Sequence, residues 1–229
     1  MNNIVLTYNH RAGFEGDSDR RAQWLLWEHT WKANGWRPVT LSGPWAAQHP
    51  LFESVRRHVM ALPSVNGPAF EVACYLRWLA YSVWLGEHPA VESVLVVDHD
   101  VVNCGYTPDD WALDRGYAPE LLFLLLGVDK TPCCARLVPG ADVRLVTWFR
   151  TVASTDFESI GGKPHCSAQV IIGRRWDQYA HGFDDGRPRI CGDPRDPCNL
   201  RLQHASTDAA REAGIPKFDL MLNLYHTQS

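Results

Sequence analysis

The chain has 229 residues, of which 45% are hydrophobic and 21% charged, with a formal net charge of −4 and an isoelectric point near 6.2. This predicts one globular domain with a sizeable core, and it excludes an overall attraction to nucleic acid or acidic membranes. No apolar run approaches the roughly 20 residues of a membrane-spanning helix, and the cysteines match no recognisable disulfide framework.

The first predicted unit is a strand, a helix and a second strand. Asn3 to Tyr8 form a short apolar run that ends in a polar loop. A helix capped by Asp17 or Ser18 then continues to about Asn34, and Trp36 to Leu41 form the next strand. Such a βαβ unit implies a parallel pair of strands.

The sequence of the central part of the chain predicts two helices followed by a buried strand. A short helix is expected at about Phe52 to Ala61, and a longer one begins near Pro68 and ends at Gly86. Val94 to Val97 are β-branched or leucine and do not alternate with polar residues. This pattern is typical of a strand covered on both faces in an α/β sheet.

The second half of the chain is less regular. An apolar helix is predicted over Pro119 to Leu126, strands over Cys133 to Leu137 and Cys166 to Ile172, a strand or a helix over Val143 to Val152, and a helix over Arg174 to His181. After Phe183 the periodicity is weak until Leu220 to Tyr225.

The buried strand ends abruptly in Asp98-His99-Asp100. Ligands of open α/β sheets collect beyond the carboxyl ends of the strands, and residues i and i+2 of an extended segment project to the same side. Both carboxylates can therefore coordinate one Mg²⁺ or Mn²⁺ ion, and a diphosphate can complete its octahedral coordination. The alternative is that one aspartate caps a turn and the other is solvated.

Other side chains are candidates for the same site. Tyr8, Asn9 and His10 follow the first strand, where they can contact a nucleotide base or ribose. Arg77 lies outside the apolar stripe of its helix, so it faces either phosphates or solvent. Six further arginines lie late in the chain and can bind phosphate: Arg174, Arg175, Arg187, Arg189, Arg195 and Arg201.

The order of elements resembles the GT-A class of nucleotide-sugar glycosyltransferases. Three segments, Trp31 to Pro38, Leu62 to Asn66 and Cys74 to Ala80, resemble a group of small GT-A-like proteins, and the resemblance covers about residues 1 to 180. It implies a single domain with a Rossmann-like, mostly parallel sheet flanked by helices. Residues 1–105 would form the nucleotide-sugar and metal half, and residues 106–229 the acceptor half.

The resemblance also implies roles for single residues. Asp98 contacts the ribose or the metal, and Asp100 is the direct metal ligand. A late histidine commonly completes such sites, and here His204 is preferred over His226, His181 and a more structural His165. A carboxylate near the acceptor is expected as well, with Asp193 or Asp196 as the first candidates and Asp156 or Glu158 as weaker ones.

We therefore expect a cytoplasmic, metal-dependent glycosyltransferase that uses Mn²⁺ or Mg²⁺ to move a sugar from a nucleotide-sugar donor to a hydroxyl acceptor. One alternative is a related transferase that modifies hydroxymethylated bases of viral DNA in the host-cell cytoplasm, with the late arginines holding the nucleic acid. Another is a non-catalytic module that binds a nucleotide sugar.

Overall fold

The computed structural model describes residues 3–10, 17–110, 121–126, 132–137, 146–147, 149–151, 157–168, 171–172 and 201–227. The strands are β1 (Ile4–Asn9), β2 (Arg37–Ser42), β3 (Val94–Val97), β4 (Val101–Asn103), β5 (Leu121–Leu126), β6 (Pro132–Leu137), β7 (Glu158–Ile160), β8 (Lys163–His165) and β9 (Leu202–His204). The helices are α1 (Ser18–Ala33), α2 (Gly43–Ala47), α3 (Phe52–Met60), α4 (Pro68–Glu87), α5 (Thr207–Ala213) and α6 (Lys217–His226).

The main sheet has five strands in the order β2-β1-β3-β6-β5. β1 pairs in parallel with β2 and with β3, which confirms the predicted βαβ unit and the α/β class. β6 is antiparallel to both β3 and β5, so four of the five strands run in one direction. β4 pairs with β9 and β7 with β8 in two separate two-stranded sheets. The predicted division into a nucleotide half and an acceptor half stays a prediction.

Strand β3 is buried on both faces, as its composition predicted. Val94 and Val96 belong to a core that includes much of α4, whereas Leu95 and Val97 belong to a second core built around α1. Alternate side chains of one strand therefore reach two different hydrophobic layers. The strand and the aspartates that follow it are fixed between those layers.

Tryptophans of the α1 side fix the backbone beyond the aspartates. Trp27 and Trp31 are fully buried, and the Trp31 indole N–H donates to the Val101 carbonyl at 3.1 Å. The Trp36 indole N–H donates to the Tyr106 carbonyl at 2.7 Å, and these two rings stack. Each bond satisfies a buried indole N–H, so Trp31 and Trp36 also hold β4 and the loop after it in register.

Two predicted elements of the second half are wrong. The apolar run at 121–126 is strand β5 rather than a helix, since a short apolar run has no periodicity to separate the two and β6 supplies a pairing partner. Residues 168, 171 and 172 are helical rather than extended, and the Ile171 N–H donates to the Ser167 carbonyl at 3.1 Å. Residues 146–147 and 149–150 are helical, one of the two predicted alternatives. The predicted helix at 174–181 lies outside the described residues.

The last described segment brings the chain back to the aspartates. β9 is antiparallel to β4, with Val101 opposite His204. Ser206 caps α5 through its hydroxyl, and Gly214 ends that helix with a φ of 67°, a conformation that favours glycine. α6 then packs against α1 and β4. Where the chain is described, none of its helices combines the length and apolar character needed to cross a membrane.

Asp110 makes a pH-dependent contribution to the stability of the segment that follows β4. Thr107 and Asp110 cap each other reciprocally, with the Thr107 N–H donating to Asp110 Oδ2 at 2.9 Å and the Asp110 N–H to Thr107 Oγ1 at 3.3 Å. Burial opposes ionisation, but the bonds from Thr107 and the charge of Arg201 hold the pKa of Asp110 below its usual value.

We expect Asp110→Asn to lower the free energy of unfolding at pH 7 by about 1 kcal/mol, because asparagine removes the charge that accepts hydrogen bonds from Thr107 and Arg201. A lowered pKa in the folded state stabilises the fold above the unfolded pKa of about 3.9, and this contribution is lost as the pH falls through the folded value. Urea unfolding at a series of pH values should show the difference from wild type shrinking below pH of about 4. The exposed neighbour, in the variant Asp109→Asn, is the matched control; an equal effect of both variants would contradict this account.

Candidate metal centre

Three side chains that the sequence proposed as metal ligands come together in the fold. Ligand atoms of Asp98, Asp100 and His204 all lie within 4.8 Å of one another. Asp98 follows β3, Asp100 precedes β4, and His204 ends β9, which pairs with β4. The Ala205 N–H also donates to the Asp100 carbonyl at 2.9 Å. Backbone pairing therefore sets the position of the histidine against the two aspartates.

Asp100 is buried, and its two carboxylate oxygens have different surroundings. Oδ2 accepts a bond from Lys217 Nζ at 2.6 Å. Oδ1 lies 3.4 Å from His204 Nε2, in ion-pair range, yet it has no aligned hydrogen-bond donor among the described residues. Burial opposes ionisation, but His204 and Lys217 outweigh it and hold the pKa of Asp100 well below its usual range. The Asp100 carboxylate is thus held ionised between an imidazole and an ammonium group.

Asp98 is paired with a buried arginine. Arg77 Nη1 donates to Asp98 Oδ1, and the pKa of Arg77 is raised because this carboxylate outweighs the burial that would otherwise lower it. Arg77 is 8% exposed, and its Nε and Nη2 are buried without a hydrogen-bond partner in the described part of the chain. These two nitrogens are enclosed by the protein, and the guanidinium lies over the Trp78 ring, 5.4 Å from its centroid.

The end of β1 lies at the same edge of the sheet, because β1 is parallel to β3. Asn9 is buried, and its Oδ1 accepts a bond from Arg20 Nη2 at 2.5 Å. Tyr8 is half-buried, which raises the pKa of its hydroxyl to about 12, and Oη lies 3.3 Å from Nδ1 of the exposed His10. The residues predicted to contact a nucleotide are thus on the same rim as Asp98.

His99, between the two aspartates, packs into the core on the α1 side. Its ring stacks on Trp24 with 5.6 Å between centroids and 19° between planes. Burial lowers the pKa of His99 below its usual range. The expected extended geometry is wrong here, because Asp98 to Val101 form a turn in which the Val101 N–H donates to the Asp98 carbonyl at 3.0 Å. The turn brings both aspartates to His204 and leaves the His99 ring against Trp24.

Several other predicted candidates are not part of this cluster. His226 lies at the end of α6 with its ring against Tyr225, and His165 is buried beside Val65, in keeping with the expected structural role. Glu158 begins β7. Arg201 pairs with Asp110. The remaining candidates lie outside the described residues: His181, Asp156, Asp193, Asp196, Arg174, Arg175, Arg187, Arg189 and Arg195.

Lys217 is the component of the centre that the sequence did not reveal. It stands 117 residues after Asp100, at the first position of α6. A lysine at the start of a helix carries no local signal of a distant partner. Its role follows from the return of the chain through β9 to the β4 edge.

Comparison of the sequence with protein-family models and with curated proteins gives no match.

Proposed function

We propose that this protein is a metal-dependent glycosyltransferase, which moves a sugar from a nucleotide-sugar donor to a hydroxyl acceptor. The observation that carries the proposal is the cluster of Asp98, Asp100 and His204, whose ligand atoms lie within 4.8 Å of one another. Two carboxylates and one imidazole suit Mn²⁺ or Mg²⁺. Such an ion, when bound, stabilises the negative charge that develops on a departing diphosphate.

The charge balance of the centre favours a diphosphate as the group that completes the metal site. Arg77 and Lys217 already neutralise Asp98 and Asp100. A divalent cation would then leave the centre with two net positive charges, and an anionic ligand would restore neutrality. Three protein ligands also leave about three octahedral positions for phosphate oxygens or water.

Arg77 is placed to help hold that anion. Its guanidinium presents a fork of donors, of which only Nη1 is used by Asp98. Because Nε and Nη2 are enclosed by the protein, Arg77 would act on the anion through its charge and by orienting Asp98. Asn9, Tyr8 and His10 on the same rim offer polar and ring surfaces for the nucleoside.

The two alternatives predict different behaviour. A binding module without transferase activity would use the same centre and bind the donor without releasing nucleoside diphosphate. Hydroxymethylated DNA as acceptor rests on late arginines that lie outside the described residues, except Arg201, which pairs with Asp110. The transferase acting on a hydroxyl acceptor is therefore the function that we propose.

A thermal-shift screen of nucleotide sugars with and without Mn²⁺ tests the donor half of this proposal. A ligand at 100 times its dissociation constant stabilises the folded state by about 2.7 kcal/mol. For a chain of this size, that corresponds to a rise in Tm of roughly 5 to 10 °C. We expect such a rise with one class of nucleotide sugar and only with the metal present. An equal rise in EDTA, or none with any donor base, would contradict the proposal.

A further inference from the structure

A positive side chain already lies in the centre where a divalent ion would bind. Lys217 Nζ is 2.6 Å from Asp100 Oδ2, and Oδ1 of the same carboxylate is 3.4 Å from His204 Nε2. The Asp100 side chain is only 10% exposed, so little solvent separates its charge from that of the ammonium group. Both oxygens belong to one carboxylate. Lys217 is therefore a close neighbour of any ion that Asp100 holds.

The fold holds the Lys217 ammonium group in this position. Lys217 is the first residue of α6, which packs against α1 and β4, and β4 begins directly after Asp100. The Ile215 N–H donates to the Ala210 carbonyl at 3.2 Å, which ties the segment before α6 to α5. The Lys217 side chain is 19% exposed, against 60% for Lys32 on α1. Lys217 is thus built into the centre, and part of its side chain stays accessible to a ligand.

The charges of the centre oppose a metal ion that enters alone. Asp98 and Asp100 are matched by Arg77 and Lys217, so these four groups together are neutral. A divalent ion meets the repulsion of the Lys217 charge at close range. A unit charge about 5 Å away lowers the affinity roughly tenfold or more, even with the dielectric constant of water. A diphosphate brings negative charge that offsets this repulsion, so the ion and the diphosphate together are favoured over the ion alone.

We propose that Lys217 makes the centre selective for a metal ion that is bound to a diphosphate over the bare ion, an inference that rests on the proposed function. In the free protein, Lys217 neutralises Asp100 and repels a free divalent ion. When a diphosphate enters with the ion, its oxygens offset the charge of Lys217. Metal and diphosphate therefore strengthen each other's binding. Lys217 determines which ligand is accepted and takes no part in the bond changes.

The first test measures how tightly Lys217→Met binds the bare ion. Lys32→Met is the matched control, because Lys32 pairs with Glu28 on the surface of α1. The probe is Tb³⁺, which is detected by its luminescence and displaced by Mn²⁺ with no diphosphate present. We expect Lys217→Met to bind Mn²⁺ roughly tenfold or more tightly than the parent protein, and Lys32→Met to equal the parent. An unchanged or lower affinity in Lys217→Met would overturn the inference.

The second test measures how much inorganic diphosphate strengthens Mn²⁺ binding, with the free ion concentration fixed by a metal buffer. In the parent protein we expect a gain in affinity of roughly tenfold or more, within the usual range of coupling between two ligands. In Lys217→Met the gain should be several times smaller, because the charge that the diphosphate offsets is gone. A lysine with only a structural role would leave the gain unchanged, so equal gains in the parent and in Lys217→Met would overturn the inference.

The outcomes separate this inference from the function on which it rests. If neither the parent protein nor Lys217→Met binds a metal ion, with or without diphosphate, the proposed function fails and the inference fails with it. If the parent binds the ion and Lys217→Met binds it no more tightly, only the inference is overturned. Should Lys217→Met not fold, Lys217→Gln replaces it, since glutamine can still donate to Asp100 but carries no charge. The same gain in affinity for the bare ion is expected, and its absence counts against the inference in the same way.

Discussion

Asp100→Asn is expected to abolish metal binding, with a loss of affinity of roughly 100-fold or more, since even partners that only orient a ligand are worth 10- to 100-fold. Asparagine keeps the size of the side chain but removes the charge that attracts a cation. The buried Oδ1 beside His204 would no longer be an anionic ligand, and Lys217 would lose its partner. Metal-dependent turnover should be lost with the metal.

Terbium luminescence measures this loss without any need for a substrate. Tb³⁺ takes oxygen ligands as Ca²⁺ does, and the Trp24 ring stacks on His99 between the two aspartates, so excitation of tryptophan should sensitise a bound ion. We expect saturable luminescence from the parent protein that Mn²⁺ displaces, and none from Asp100→Asn. Asp208→Asn is the matched control, because that side chain is 78% exposed and pairs with Arg211 nearby. Equal luminescence from Asp100→Asn would show that the cluster is not the metal site.

Arg77→Met is expected to cause the largest loss of stability, about 3 kcal/mol, because removing one member of a buried ion pair leaves the other charge uncompensated. The Arg77 and Asp98 side chains are 10% and 24% exposed, so little solvent screens the pair. For a protein of this size the Tm should fall by roughly 6 to 12 °C. The Tm of Arg77→Lys should lie between those of the parent protein and Arg77→Met, since lysine keeps the positive charge but lacks the forked guanidinium.

Urea unfolding with two further variants tests the cause of that loss. Arg56→Met is the matched control on α3, where the arginine is 46% exposed and 3.6 Å from Glu53, and it should cost under about 1 kcal/mol. The double variant of Arg77→Met with Asp98→Asn removes both charges and should recover part of the stability. If Arg77→Met cost no more than Arg56→Met, the ion pair would not be what holds α4 to the end of β3.

The parallel part of the main sheet and the acidic segment after β3 could be predicted from local patterns. An unbroken apolar run at Val94 to Val97 required a strand covered on both faces, and the acidic pair directly after it had to lie at the edge of a sheet. The βαβ unit followed from periodicity and from the glycine after α1. These features depend on residues that are near one another in sequence, so the sequence reports them directly.

The other features of the fold and of the site depend on contacts between segments that are distant in sequence. His204 was selected by resemblance, but it reaches Asp100 through the pairing of β4 with β9, which no local spacing encodes. Lys217 is the same kind of case: a basic residue in the first turn of a helix is ordinary, and only tertiary structure gives it a partner. β5 was predicted as a helix because a run of leucines fits both structures until its neighbour β6 is known.

The most direct test of the central claim is the release of nucleoside diphosphate from the nucleotide sugar that the protein binds. We predict that the parent protein releases it with Mn²⁺ or Mg²⁺ but not in EDTA, and that Asp100→Asn releases none while Asp208→Asn equals the parent. Release that persists at the parental rate in EDTA, or in Asp100→Asn, would contradict a metal-dependent transferase built on Asp98, Asp100 and His204.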